Sequence, residues 1–212
     1  MTKRSTEELI ENLSRDLKPS KPFAHPLWRG LVVLAIIFVW VGYGVYVTGL
    51  RHDVAERLGE AAFLFEVISA VLIILSSAFV ALWMSIPDMR GQKWMIALPC
   101  VLVFHFCIWL ACKAYAEGVM MPALHLDHCF TDGFYMAAIP AALLMAMVYR
   151  GATTLPYIMA FMVFLSTGFL AYLGLRFTCP MDTVGHAFIF HIFPYLILGM
   201  VVGALARRIF KW

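Results

Sequence analysis

Six long apolar segments constrain this chain more than any other feature. They cover residues 31–50, 61–86, 95–112, 134–149, 157–175 and 184–206. Each approaches or exceeds the roughly 20 residues with which an α-helix crosses about 30 Å of hydrocarbon. A backbone in lipid must satisfy its own N–H and C=O groups, and a helix does so within one segment. With 63% hydrophobic and 14% charged residues, the chain has too little polar surface to coat a water-soluble core, where about 25% charged is usual. The expected fold is all-α: a polytopic membrane bundle of six transmembrane helices with a short N-terminal cytoplasmic amphipathic helix. The fourth segment is the shortest and contains Pro140, but its Ala- and Met-rich composition suits a helix packed among others. Trp28, Trp94 and Trp212 stand at segment ends, as an aromatic belt requires.

The distribution of Lys and Arg orients the bundle. With the N-terminus inside, twelve of the sixteen basic residues fall on the cytoplasmic side, and only Arg51, Arg57, Lys113 and Arg176 fall outside. Both termini are then expected in the cytoplasm of a bacterial inner-membrane, multi-pass protein. The connections 51–60, 113–133 and 176–183 face out. The net charge of +3 gives no basic face for nucleic acid, because the basic residues sit beside hydrophobic segments. No cleaved signal is expected, since residues 1–29 are charged and lead into a full-length span.

Residues 1–29 form the only substantial soluble segment, expected as one unit ahead of a membrane domain over 30–212. Ser5 and Glu8 fit a capping box, and Leu9, Ile10, Leu13 and Leu17 follow at helical spacing. The opposite face carries Glu7, Glu8, Glu11, Arg15 and Asp16. Helices that lie on lipid favour Lys and Arg on the polar face. An acidic face directs this helix to a protein partner instead.

Reactive side chains concentrate outside. His125, Asp127, His128 and Cys129 occupy one outer connection, and Cys179 another. The periplasm is oxidising, so a disulfide would persist there. Joining Cys129 to Cys179 would close a loop worth at most about 4 kcal/mol of chain entropy. The pair reads either as a structural staple or as a thiol switch driven by oxidation or metalation. His125, Asp127 and His128 add ligands of intermediate hardness, so the five residues together could hold a transient heavy-metal ion; the bland alternative is a polar turn. Five cysteines leave at least one thiol unpaired within a monomer. Cys100 and Cys107, two turns apart, read as small packing residues, and Cys112 as a possible third outer thiol. No bound cofactor is expected.

Within the bilayer, Glu66, His105 and His191 all lie roughly 7–11 Å below the outer boundary at 1.5 Å per residue. Ionisable groups at that depth face a partner or a wet cavity, and this group reads either as a structural Glu–His hydrogen bond tying helices together or as a coupling of the outer loops to the bundle. Gly199 and Gly203 form a GxxxG, which permits close helix approach.

The acidic amphipathic tail, the stretches Asp53–Leu58 and Ala62–Glu66, Cys129, Thr178-Cys179-Pro180-Met181-Asp182 and the ending Arg207–Trp212 together resemble the NrsF family over essentially the whole length. That resemblance implies a six-span inner-membrane anti-sigma factor, not an enzyme, that holds an extracytoplasmic-function sigma factor inactive. It also implies that Cys129 and Cys179 are the positions associated with signal response, in a family linked to heavy-metal and oxidative stress. The competing reading is a membrane thiol oxidoreductase coupled to quinone. Such enzymes carry a vicinal redox pair, which this chain lacks.

Overall fold

Each apolar segment becomes a helix, and the polar connections between them are short. The computed structural model describes residues 6–15, 25–118, 128–151 and 153–209, among which there is no strand. Helix α1 spans Thr6–Arg15, α2 Pro26–Thr48, α3 Val54–Arg57, α4 Ala61–Met84, α5 Ala97–Glu117, α6 His128–Tyr149 and α7 Pro156–Thr178. The last span begins as one turn, α8 (Val184–His186), widens to a π turn over Ala187–Ile192, and continues as α9 (Phe193–Ile209). Six stretches among the described residues are long and apolar enough to cross a membrane, as the hydropathy requires.

The helix ends follow local chemistry. Pro26 and Pro156 open α2 and α7 at positions where a missing N–H costs nothing. The His25 side chain accepts a hydrogen bond from the Leu27 N–H. Gly49 ends α2 at φ +92°, a conformation glycine adopts without a Cβ clash. A 3-10 stretch, Pro87–Ile96, leads into α5, and the Trp83 indole donates to Gln92 across it.

Helix α7 is the centre of the bundle and is buried over nearly its whole length. It packs on α4, α6 and α9, with Ile73, Ile74, Ala78, Leu144, Met159 and Leu170 at the core. Small residues let these helices approach, as in membrane bundles generally. The Ser166 hydroxyl donates to the Ile74 carbonyl of α4 at 3.1 Å. Gly199 abuts the Cβ of Phe164 on α7, whereas Gly203 is less closely approached, so the first glycine of the GxxxG pair makes an intramolecular contact.

At the cysteine end, three spans extend past the hydropathy reading. The fourth span starts at His128 instead of residue 134, the third runs to Glu117, and the fifth to Thr178. Cys129, Lys113 and Arg176 therefore lie on helices and not in loops. Hydropathy truncates a span at its first polar residue, but Lys113 and Arg176 are held by ion pairs inside the bundle. Cys100 and Cys107, expected as packing residues, are exposed on α5, as is Cys112.

Candidate functional site

The described chain brings two reactive thiols together at one end of the bundle. Cys129 is the second residue of α6. Cys179 caps α7, its N–H donating to the Leu175 carbonyl at 2.8 Å, and Pro180 stops the helix there. Their sulfurs, fifty residues apart in sequence, lie 3.2 Å apart. Cys179 is buried and Cys129 half-buried.

Close approach of α6 to α7 and α9 is what makes this possible. At Gly133, one turn past Cys129, a Cβ would stand 2.6 Å from Tyr195 Oη and 2.7 Å from Leu175 Cδ1. Any side chain there would require the Tyr195 hydroxyl and the Leu175 methyl to shift.

Two buried histidines complete the group. His186 Nε2 lies 3.4 Å from Cys179 Sγ, and the ring of His191 stands edge-on to that of His186 at 5.0 Å. One ligand atom from each of Cys129, Cys179, His186 and His191 can be chosen so that all four lie within 4.8 Å of one another. The π turn explains how two residues five apart share one face. In an α-helix they would diverge by about 140° at 3.6 residues per turn, whereas π hydrogen bonding closes a turn over five residues. The Phe193 N–H donates to the Phe188 carbonyl, five residues back. His186 Nδ1 and both ring nitrogens of His191 are buried without a hydrogen-bond partner among the described residues. Contact with the Cys129 sulfur drives the Cys179 thiol well below its ordinary range; burial opposes this and His191 adds to it.

An ion-pair network adjoins the thiols. Glu66 on α4 meets Lys113 Nζ of α5 at 2.9 Å with one oxygen. The other oxygen meets Arg176 Nε at 2.9 Å and accepts a hydrogen bond from Tyr172 at 3.0 Å. Arg176 continues to Asp182 at 2.7 Å. Arg51 grips Asp182 and Asp53 with paired hydrogen bonds, and Arg57 binds Asp53, Asp182 and Glu60. The backbone joins in, the Arg51 N–H donating to the Phe177 carbonyl at 2.9 Å. Burial raises the Asp182 carboxyl, but hydrogen bonds from Arg51 and Arg176 outweigh it and hold the group at about 2. Asp53 is likewise lowered, first by its hydrogen bond from Arg51. A 320 Å³ cavity lies among these groups. The Tyr172 ring faces His191 edge-on at 6.3 Å, so the network and the thiol group share a wall.

The residues expected from sequence divide accordingly. Cys129 and Cys179 meet. His128 is exposed and stands outside the four-residue group, while His125 and Asp127 lie outside the described residues. Glu66, His105 and His191 do not form one cluster: Glu66 is taken by Lys113, Arg176 and Tyr172, His191 joins the thiols, and His105 is exposed against Phe65. Ile10 is exposed on α1; the side chains of Leu9 and Leu13, and the whole of Leu17, fall outside the described set. His186 was missed as a partner of the thiols, although His186 and His191 carry the His-x4-His spacing of metal-binding histidines.

Comparison with curated proteins and with solved structures finds no match. A family model described as NrsF, negative regulator of sigma F, matches residues 13–212. A match over nearly the whole chain, on a bundle of six candidate spans with paired thiols at one end, identifies this protein as a member of the NrsF family.

Proposed function

We propose that this protein is an inner-membrane anti-sigma factor that holds an extracytoplasmic-function sigma factor at the cytoplasmic face. Release follows when Cys129 and Cys179, at the periplasmic end, react with oxidant or thiophilic metal. The family makes the chain a negative regulator of a sigma factor, and the candidate spans make it a multi-pass membrane protein. The observation that carries the sensing step is the 3.2 Å separation of the two sulfurs on different helices. Two-electron oxidation joins them as a disulfide, giving two protons and two electrons to the oxidant. A change in this bond acts on the ends of α6 and α7 at once.

The orientation is supported by the accounting of basic residues. Arg51, Arg57, Lys113 and Arg176, the four that oppose the charge bias, are all committed to ion pairs at the cysteine end. Helix α1 supplies the binding element on the opposite side, with apolar residues at helical spacing and Ile10 open to a partner, as helix-in-groove ligands require. Moving a two-state equilibrium from 1:99 to 99:1 takes about 5.5 kcal/mol, within reach of disulfide formation or thiolate–metal ligation.

The test uses this protein co-expressed with a candidate extracytoplasmic-function sigma factor from the same genome. The two copurify in detergent under reductant and separate on addition of a thiol oxidant or cadmium. Cys129→Ser and Cys179→Ser each keep capture and lose release, and the double variant matches either single one. Normal release from the double variant at normal abundance removes the thiols from sensing. Reduced abundance of the single variants, with sigma activity in the absence of any signal, makes the pair a staple instead.

A further inference from the structure

We infer that His186 and His191 join Cys129 and Cys179 as the four ligands of a tetrahedral site for a divalent d10 cation of the zinc and cadmium class. This rests on the reading of the two cysteines as the sensing pair and specifies what that pair recognises.

Four observations converge on it. The first is spacing. Tetrahedral coordination at metal–sulfur distances of about 2.3 Å and metal–nitrogen distances of about 2.0 Å sets neighbouring ligand atoms about 3.3–3.8 Å apart. Here the sulfurs are 3.2 Å apart, Cys179 Sγ is 3.4 Å from His186 Nε2, and four ligand atoms fit within 4.8 Å. Small adjustments of side chains suffice to seat an ion. The second is His191, whose two buried ring nitrogens make no hydrogen bond of ordinary geometry among the described residues and interact with the Cys179 sulfur. Buried polar atoms are normally satisfied, and a cation in this group satisfies one of them.

The third observation is charge. M²⁺ binds two thiolates and two neutral imidazoles, giving M(S⁻)₂(His)₂, and any proton that a sulfur carries beforehand goes to solvent. The product is neutral, which suits a buried site where net charge is costly. A cuprous ion in the same set would leave a net negative charge, and a linear two-thiolate ion would leave the histidines unused. The fourth is the backbone. The π turn over Ala187–Ile192 aligns His186 and His191, and single π turns inside helices occur often at functional sites.

The expected consequence is that the metal signal and the oxidant signal part company. A disulfide needs only the two sulfurs, whereas the cation needs all four side chains. The protein is purified in full length, reduced, with Cys100, Cys107 and Cys112 replaced by Ser so that the thiolate count belongs to the pair. Titration with cadmium gives one ion per chain and a thiolate charge-transfer band of two sulfurs. X-ray absorption of the loaded protein shows two sulfur and two nitrogen neighbours with the outer-shell pattern of imidazole. His186→Gln and His191→Gln each weaken cadmium at least tenfold. In cells, both His variants lose the response to cadmium and keep the response to a thiol oxidant.

A first shell of sulfur alone, or of sulfur and water oxygen, in the protein with both histidines intact overturns the proposal without relying on any His variant. So does unchanged cadmium affinity in the His186→Gln/His191→Gln double variant. Either result leaves the thiol switch standing. Loss of neither response in the Cys129→Ser/Cys179→Ser variant is the separate result that brings down the sensing reading itself, and this inference with it.

Discussion

Arg176, in the last turn of α7, sets its Nε 2.9 Å from Oε2 of Glu66 in the second turn of α4, and both side chains are buried. The guanidinium also lies over the Phe63 ring, 5.0 Å from its centroid. Charges that would be costly in hydrocarbon are tolerable here because they meet. Glu66 has a second cation in Lys113 and a donor in Tyr172, so its loss leaves Lys113 with only the 4.0 Å contact to Glu117 and Arg176 with Asp182 alone. Removing one partner of a buried pair typically costs about 3–5 kcal/mol. Glu66→Gln therefore lowers the thermal unfolding midpoint in detergent markedly. Glu60→Gln removes a half-exposed partner of Arg57 and costs under about 1 kcal/mol. Equal midpoints for the two variants would contradict this ranking.

Gly133 controls the approach of Cys129 to Cys179. Gly133→Val overpacks this contact, where a Cβ already stands under 3 Å from the Tyr195 hydroxyl and a Leu175 methyl, two side-chain ends that must shift to admit it. Overpacking of this kind costs about 1–3 kcal/mol, and oxidant-induced disulfide formation slows at least tenfold. Non-reducing electrophoresis of membranes after a timed oxidant pulse measures the rate. Gly42→Ala, where a Cβ meets nothing within 4 Å, serves as the control and leaves the rate unchanged.

The Asp182 network sets an acid limit on the cysteine end. Its carboxyl is held at about 2 in the folded protein, below the ordinary aspartate value near 3.9. A group lowered on folding stabilises above its unfolded value and loses that contribution as pH falls toward its folded value. Stability from Asp182 is thus complete above about pH 5 and declines between about 4 and 2. Proteolysis at connection 49–60, followed in detergent from pH 7 to pH 2.5, accelerates in that lower window. Asp182→Asn shows the faster cleavage already at pH 7. A profile with an inflection near pH 6.5 would point to histidine instead.

Impermeant maleimide applied to reduced spheroplasts distinguishes the two thiols. Cys129 is half-buried and Cys179 buried, so in single-cysteine proteins Cys129 labels before lysis and Cys179 labels more slowly. Labelling of Cys129 only after lysis reverses the orientation.

Ile10→Asp on α1 weakens sigma capture ten- to hundredfold, the loss expected for about 1.5–3 kcal/mol of side-chain burial at a partner surface. Membrane abundance stays constant, because Ile10 is exposed. Copurification and a sigma-dependent reporter read the effect. Full repression by the Ile10→Asp/Leu13→Asp variant would move the binding element off the tail.

What the sequence by itself determined is the quantity hydropathy sums: six spans, their alternating direction, and therefore that Cys129 and Cys179 share one end. Those conclusions add along the chain and need no knowledge of which helix faces which. The rotation of each helix is a different matter. In lipid the outer face is as apolar as the inner one, so a span such as α5, exposed along most of its length, carries no amphipathic stripe to show its buried side. Sequence alone could place Glu66, His105 and His191 at one depth, but not turn His105 outward or give Glu66 to Lys113 and Arg176. Nor could it foresee the π turn that brings His191 beside His186, a turn that packs against α7. Depth follows from position in the chain, whereas partnership depends on helix rotation, which the tertiary fold alone decides.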